Sequence, residues 1–164
     1  MLSRSRAGRR AAGPSLRYNG TMNTDATRQL VQQFLAARSA NDAATISSLL
    51  SDDAVWQPPA SMKLGPFHGR DKVTAALTGG AIGKFLDVAT INRDVHHLVV
   101  EGDTAVALQR LSAKTVKGED YVNEYAWVYR CVDGKISRLD EYADSLYAAK
   151  LFGDRKSTRL NSSH

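Results

Sequence analysis

Glu141 is the residue of this sequence best placed to do chemistry. It ends the run Lys135-Ile136-Ser137-Arg138-Leu139-Asp140-Glu141, and strand alternation there puts it on the same side as Leu139 and Ala143. A carboxylate on an apolar wall loses hydration, so its pKa rises and it becomes a general acid or base near neutrality. The same alternation groups Asn123 with Tyr125, Trp127 and Tyr129, and in the preceding run groups Arg110 with Leu108, Ser112 and Lys114. If these sets face one hollow, Glu141, Arg110 and Asn123 are the candidate catalytic residues. Arg110 and Asn123 would then orient Glu141 or stabilise developing negative charge, while Trp56, Ser112, Tyr125 and Trp127 enclose a substrate. A tight Arg110–Glu141 pair is the competing reading, a structural bridge across two strands that keeps the carboxylate ionised.

Two histidines join the substrate-binding set. His68 lies in the loop before a third helix, and of the adjacent His96 and His97 only one can point inward, which the same register assigns to His96. A metal would need three converging ligands at suitable spacing, and no such cluster is visible. The single cysteine, Cys131, allows no internal disulfide and no cysteine-based zinc cluster, and reads as a small hydrophobe in a strand. A glycine-rich phosphate loop, a Gly-x-Ser-x-Gly elbow and a dinucleotide fingerprint are all missing, so no cofactor is expected.

The elements that must hold these residues follow from periodicity and turn chemistry. Asn23 or Thr24 can cap a helix whose apolar stripe is Leu30, Val31, Phe34 and Leu35. Asn41 or Asp42 starts a shorter one with Ile46, Leu49 and Leu50 on one side. Residues 54–57 read as a short strand stopped by Pro58-Pro59, and residues 60–68 as a loop. Gly69-Arg70-Asp71 opens a third helix that Gly79-Gly80 closes. Residues 85–101, 104–116, 121–132 and 135–142 then read as consecutive antiparallel strands, the last two joined by an Asp133-Gly134 turn. Strands this long twist and curl. The expected architecture is α+β: a curved antiparallel sheet with three N-terminal helices on its concave face, forming a cone with a pocket, and a short helix over residues 145–152 at the mouth.

Charge separates the chain into a body and two tails. The total is +5, but residues 1–21 carry five arginines and no acid, and residues 154–164 add a net +2, which leaves residues 22–153 at −2. Residues 1–21 read as a disordered extension, 22–153 as one domain, and 154–164 as a tail outside the fold. A mildly acidic body without interleaved basic and aromatic residues argues against nucleic acid as a partner. No apolar run is long enough to span a bilayer or serve as a secretory signal, so the expectation is a cytoplasmic protein that engages no membrane.

The order of elements, with Asp53-Ala54-Val55-Trp56, Gly65-Pro66-Phe67-His68-Gly69-Arg70-Asp71, Glu101-Gly102-Asp103, Asp133-Gly134-Lys135-Ile136 and Glu141-Tyr142-Ala143-Asp144, resembles the SnoaL-like, ketosteroid-isomerase-related branch of the nuclear-transport-factor-2-like superfamily. The resemblance spans about residues 24–153. It implies a cone that binds a small hydrophobic ligand, and an isomerase, lyase or hydrolase without a cofactor. Limonene-epoxide-hydrolase relatives place an arginine between two aspartates. Here Arg110 matches the arginine and Glu141 one carboxylate, but Ser112 stands at the other and Pro58 where ketosteroid isomerases carry their proton-shuttling aspartate. An epoxide hydrolase of that type and a non-catalytic ligand-binding or dimerisation module are the alternatives. By strand parity Leu111, Val122, Val128 and Tyr142 form an apolar outer face, which points to a homodimer.

Overall fold

Helix α1 (Thr24–Ser39) begins at Asn23, whose side-chain oxygen accepts the Ala26 amide at 2.9 Å. Asp42 does the same for α2 (Ala43–Leu49), accepting the Thr45 amide at 3.0 Å. These features come from a computed structural model of the protein, which describes residues 22–153. The readings of residues 1–21 and 154–164 lie outside the described residues.

The chain continues into β1 (Leu50–Gln57), β2 (Phe67–His68), α3 (Arg70–Ala75), β3 (Asn92–Glu101), β4 (Thr104–Lys114), β5 (Asp120–Val132), β6 (Lys135–Ala143) and α4 (Ser145–Gly153). Residues 60–68 are therefore not all loop, because Phe67 pairs with Trp56 and His68 with Val55. A widened turn, Ala76–Gly80, extends α3 until Gly79 takes φ 121°, a conformation that costs glycine little. The third long strand starts at Asn92 rather than at residue 85, since Val88–Thr90 forms a 3-10 turn capped by the Asp87 side chain. Asp133 and Gly134 have φ of 50° and 75°, the two positive values a tight hairpin turn requires.

The strands form one curved, unclosed sheet in the order β2-β1-β6-β5-β4-β3. All neighbours are antiparallel except β1 and β6, which run parallel, so the sheet is mixed rather than antiparallel throughout. The cause is the route of the chain. After β1 it crosses to the far edge, winds back through β3, β4 and β5, and returns beside β1 in the same direction.

Helices α1 to α3 cover the inner face, and α4 is a fourth helix at the end of the cone. On β5 every second residue from Tyr121 to Cys131 is buried, and Phe34 of α1 meets Tyr129 edge-on with ring centroids 5.8 Å apart. Opposite those large side chains β4 presents small ones: Ala105 pairs with Tyr129 and Ala107 with Trp127. Thr27 of α1 fixes the helix to the β3–β4 turn by donating to the Gly102 carbonyl at 2.7 Å.

Candidate functional site

Glu141 lies near the end of β6, where its backbone is paired with Trp127 of β5 on one side and its side chain meets Trp56 of β1 on the other. The Trp56 indole Nε1–H donates to Glu141 Oε2 at 3.0 Å. Trp56 is itself held between Phe67 and Trp127, with ring centroids 5.0 Å and 5.8 Å away. Such contacts are worth about 0.5–1.5 kcal/mol each beyond area burial, so the donor is fixed before any ligand arrives.

Glu141 lines a cavity of about 50 Å³ between the sheet and the helices. Its apolar lining includes Leu77, Ile82, Phe85 and Leu111, with Pro59, Met62, Leu64 and Ala148. Arg38, from the last turn of α1, and Arg93, near the start of β3, complete the lining. Arg38 is buried, with its guanidinium carbon 4.2 Å above the Trp127 ring.

Burial pushes the Glu141 carboxyl up to about 7, against the opposing effects of Arg38, the Trp56 hydrogen bond and Arg93. A carboxyl poised there can take or give a proton near neutrality. Burial, with Arg38 beside it, lowers Arg93 to about 9, so it remains charged at pH 7. Next to the carboxylate, burial raises Tyr125 well above the ordinary phenol range and Tyr129 to about 12, so both stay neutral hydroxyls. The arrangement couples one proton-carrying group to two fixed positive charges in an apolar hollow.

The SnoaL-like domain model matches residues 31–139, most of the chain. The chain belongs to the SnoaL-like family. Its fold is that of the nuclear-transport-factor-2-like superfamily. A protein of unknown function with that fold from Burkholderia pseudomallei is 20% identical and superposes with a TM-score of 0.69 over 77% of this chain and 96% of that one. TerC, crystallised with polyporic acid, is 17% identical with a TM-score of 0.69, over 78% of this chain and 98% of its own. An epoxide hydrolase of the limonene-epoxide-hydrolase-like type from M. tuberculosis is 18% identical with a TM-score of 0.62, over 79% and 92%. No curated protein sequence is significantly similar to the chain.

This SnoaL-like domain brings together some of the residues expected from sequence and separates others. Glu141, Trp56 and Tyr125 line the cavity, and Trp127 lies beneath Arg38. Asn123 is buried on the same face, but its amide donates to Tyr121 Oη at 2.9 Å and to the Asp144 carbonyl at 3.1 Å. Tyr121 and Tyr125 in turn share a hydrogen bond of 2.8 Å, so Asn123 positions Tyr125 and does not reach Glu141 directly.

Arg110 and Ser112 are on the other side of the sheet. Arg110 pairs with Glu124 at 2.6 Å with more than half of each side chain exposed. The inner set of β4 is Ala105, Ala107, Gln109, Leu111 and Ala113, which also takes Leu111 off the outer face. A Lys114–Asp120 pair closes the hairpin, so odd positions of β4 stand opposite odd positions of β5 and the inner parity is odd on both. Neither an Arg110–Glu141 bridge nor an arginine between Glu141 and Ser112 is formed.

His96 faces outward too, 3.7 Å from both Asp94 and Glu124. It is the extra residue of a bulge between Val95 and His97, where alternation on β3 is interrupted. His68 is exposed, because its neighbour Phe67 takes the inner side to stack on Trp56. Arg38 and Arg93 were not anticipated. Arg38 did leave a signal: it continues the stripe of Val31, Phe34 and Leu35, where a long charged side chain must either snorkel or enter the core. Among the described residues no group of three or more His, Cys, Asp or Glu is arranged to hold a metal, and no helix is long and apolar enough to cross a membrane.

Proposed function

We propose that the cavity is the active site of a cofactor-free acid–base enzyme, an isomerase, lyase or hydrolase, acting on a small and largely apolar molecule. Glu141 carries the proton, with Trp56 holding its carboxylate in place. Arg38 and Arg93 stabilise negative charge that develops on the substrate. The observation behind this reading is that Glu141 lines the cavity with an indole as its hydrogen-bond partner and two guanidiniums acting on it through space. TerC, a structural neighbour crystallised with polyporic acid, and the mycobacterial epoxide hydrolase make a small-molecule pocket in this fold a reasonable analogy. An E141Q variant tests it: turnover of a substrate found by screening small isomerase, lyase and hydrolase substrates should be abolished, and unaltered turnover would refute the role.

A second reading is favoured by the outer face, where Leu108 and Tyr142 flank Ala126 and Val122 lies further along β5, with Val122 49% and Tyr142 60% exposed. On that reading the domain pairs with a second copy through the sheet and binds a ligand without transforming it. Sedimentation of the full chain separates a dimer from a monomer, and a V122K/Y142K variant should shift a dimer to the monomer.

A further inference from the structure

Two guanidiniums reach the cavity with hydrogen-bonding capacity that the protein leaves unused. Arg38 is 5% exposed, and although the Tyr129 hydroxyl lies beside it, neither its Nε nor its Nη1 has an acceptor at hydrogen-bonding geometry, and neither does the buried Nε of Arg93. Arg93 Nη1 donates to the Arg38 carbonyl at 3.3 Å, which brings the two like charges to one end of the hollow. Leaving a buried donor without an acceptor costs roughly 1–3 kcal/mol, and more when the group is charged. Glu141 does not satisfy these donors: its carboxylate accepts from Trp56, and none of the three guanidinium N–H groups bonds to it. What would satisfy them is an anion with two oxygens, which matches the forked geometry of a guanidinium.

We propose that Arg38 and Arg93 form a carboxylate-binding subsite, and that the molecule received by the cavity is a small carboxylic acid with an aliphatic body. The carboxylate accepts from Arg38 Nε and Nη1 and from Arg93 Nε, while the body lies on Leu77, Ile82, Phe85 and Leu111. A volume of about 50 Å³ restricts that body to a few carbons. The subsite rests on the cavity being a ligand site, as in the preceding reading, but not on Glu141 moving a proton.

Charge gives the subsite a signature. The titratable groups facing this end of the cavity are Arg38 from α1, Arg93 from β3, Tyr121, Tyr125 and Tyr129 from β5, and Glu141 from β6; Ala76, Leu77 and Ala148, from the turn after α3 and from α4, are apolar. The tyrosines stay neutral below pH 9, so the change near pH 7 belongs to Glu141. With Glu141 protonated the hollow carries two positive charges and no negative one. Once it ionises, a second anion meets repulsion and competition for the guanidiniums.

The chain has two tryptophans, and both are at the site, so their two indole N–H signals in a proton–nitrogen NMR spectrum report on it. Isobutyrate and its neutral isostere isobutyramide are titrated into the full chain. Isobutyrate should shift both signals saturably and bind at least about tenfold more tightly than the amide at pH 6, as one charge-assisted pair provides. Between pH 7 and 8, below the titration of Arg93, its affinity should fall by up to about tenfold, and E141Q should remove that fall while retaining binding. R93Q should reduce the preference for the acid by at least about threefold, since Arg38 remains; because Arg38 is so deeply buried that R38Q can unfold, R93Q and the amide comparison decide the matter. Equal affinities for the two probes, no saturable shift with isobutyrate, or a preference undiminished in R93Q would each overturn the subsite. A wild type that ignores isobutyrate while E141Q abolishes turnover would sink the subsite and leave the acid–base reading standing. Isobutyrate binding with unaltered E141Q turnover would do the reverse.

Discussion

Trp56 and Glu141, 85 residues apart in sequence, meet at 3.0 Å across the parallel pair β1 and β6. The indole can donate but not accept. It therefore favours the ionised carboxylate without neutralising it, and leaves the second oxygen free to act on a ligand.

Replacing Trp56 by Phe keeps an aromatic ring between Phe67 and Trp127 but removes the donor. Because that hydrogen bond lowers the Glu141 pKa, its loss should move the titration upward from about 7, by roughly one pH unit. The measurement is the pH profile of turnover or of ligand binding, whose limb should shift upward by that amount. An unmoved limb would mean that the indole does not act on the group being titrated.

Stability should depend on pH through the same carboxyl. The unfolded chain releases the Glu141 proton near 4.5 and the folded one near 7, so the folded state binds more protons across that window and its stability falls as pH rises. Relative to E141Q, the wild type should lose roughly 3 kcal/mol as pH rises from about 4.5 to about 8 and stay level above that. Urea titrations of both proteins at four pH values read the difference, and parallel curves would contradict it.

Arg110 provides the contrasting case. Its pair with Glu124 is 55% and 56% exposed, and exposed pairs contribute about 0–1 kcal/mol. R110A should leave ligand affinity and any turnover within twofold, with melting temperature nearly unchanged. A loss of activity of a hundredfold would restore Arg110 to the site and contradict the observed register.

The fold was legible because its signals are local. Asn23 and Asp42 cap helices, Asp133-Gly134 forces a hairpin, and the alternation from Tyr121 to Cys131 names the inner face of β5. The site was only partly legible, because it depends on register between strands. On β4 the buried set is mostly alanine and the outward set includes Val106 and Leu108, so hydrophobicity alone favours the wrong parity. The bulge at His96 then breaks alternation on β3, and the parallel β1–β6 pairing that joins Trp56 to Glu141 has no local sequence signal. Arg38 and Arg93 are 55 residues apart, on α1 and β3, and only the assembled cone brings them together.

The protonation state of Glu141 tests the account most directly. A carbon-13 NMR titration of the glutamate carboxyl groups, with the Glu141 signal assigned by its loss in E141Q, should show one glutamate with a midpoint at about 7. A midpoint at or below 4.5 would contradict it, because the carboxylate would then be solvated or paired, and the cavity would hold no group able to exchange a proton near neutrality.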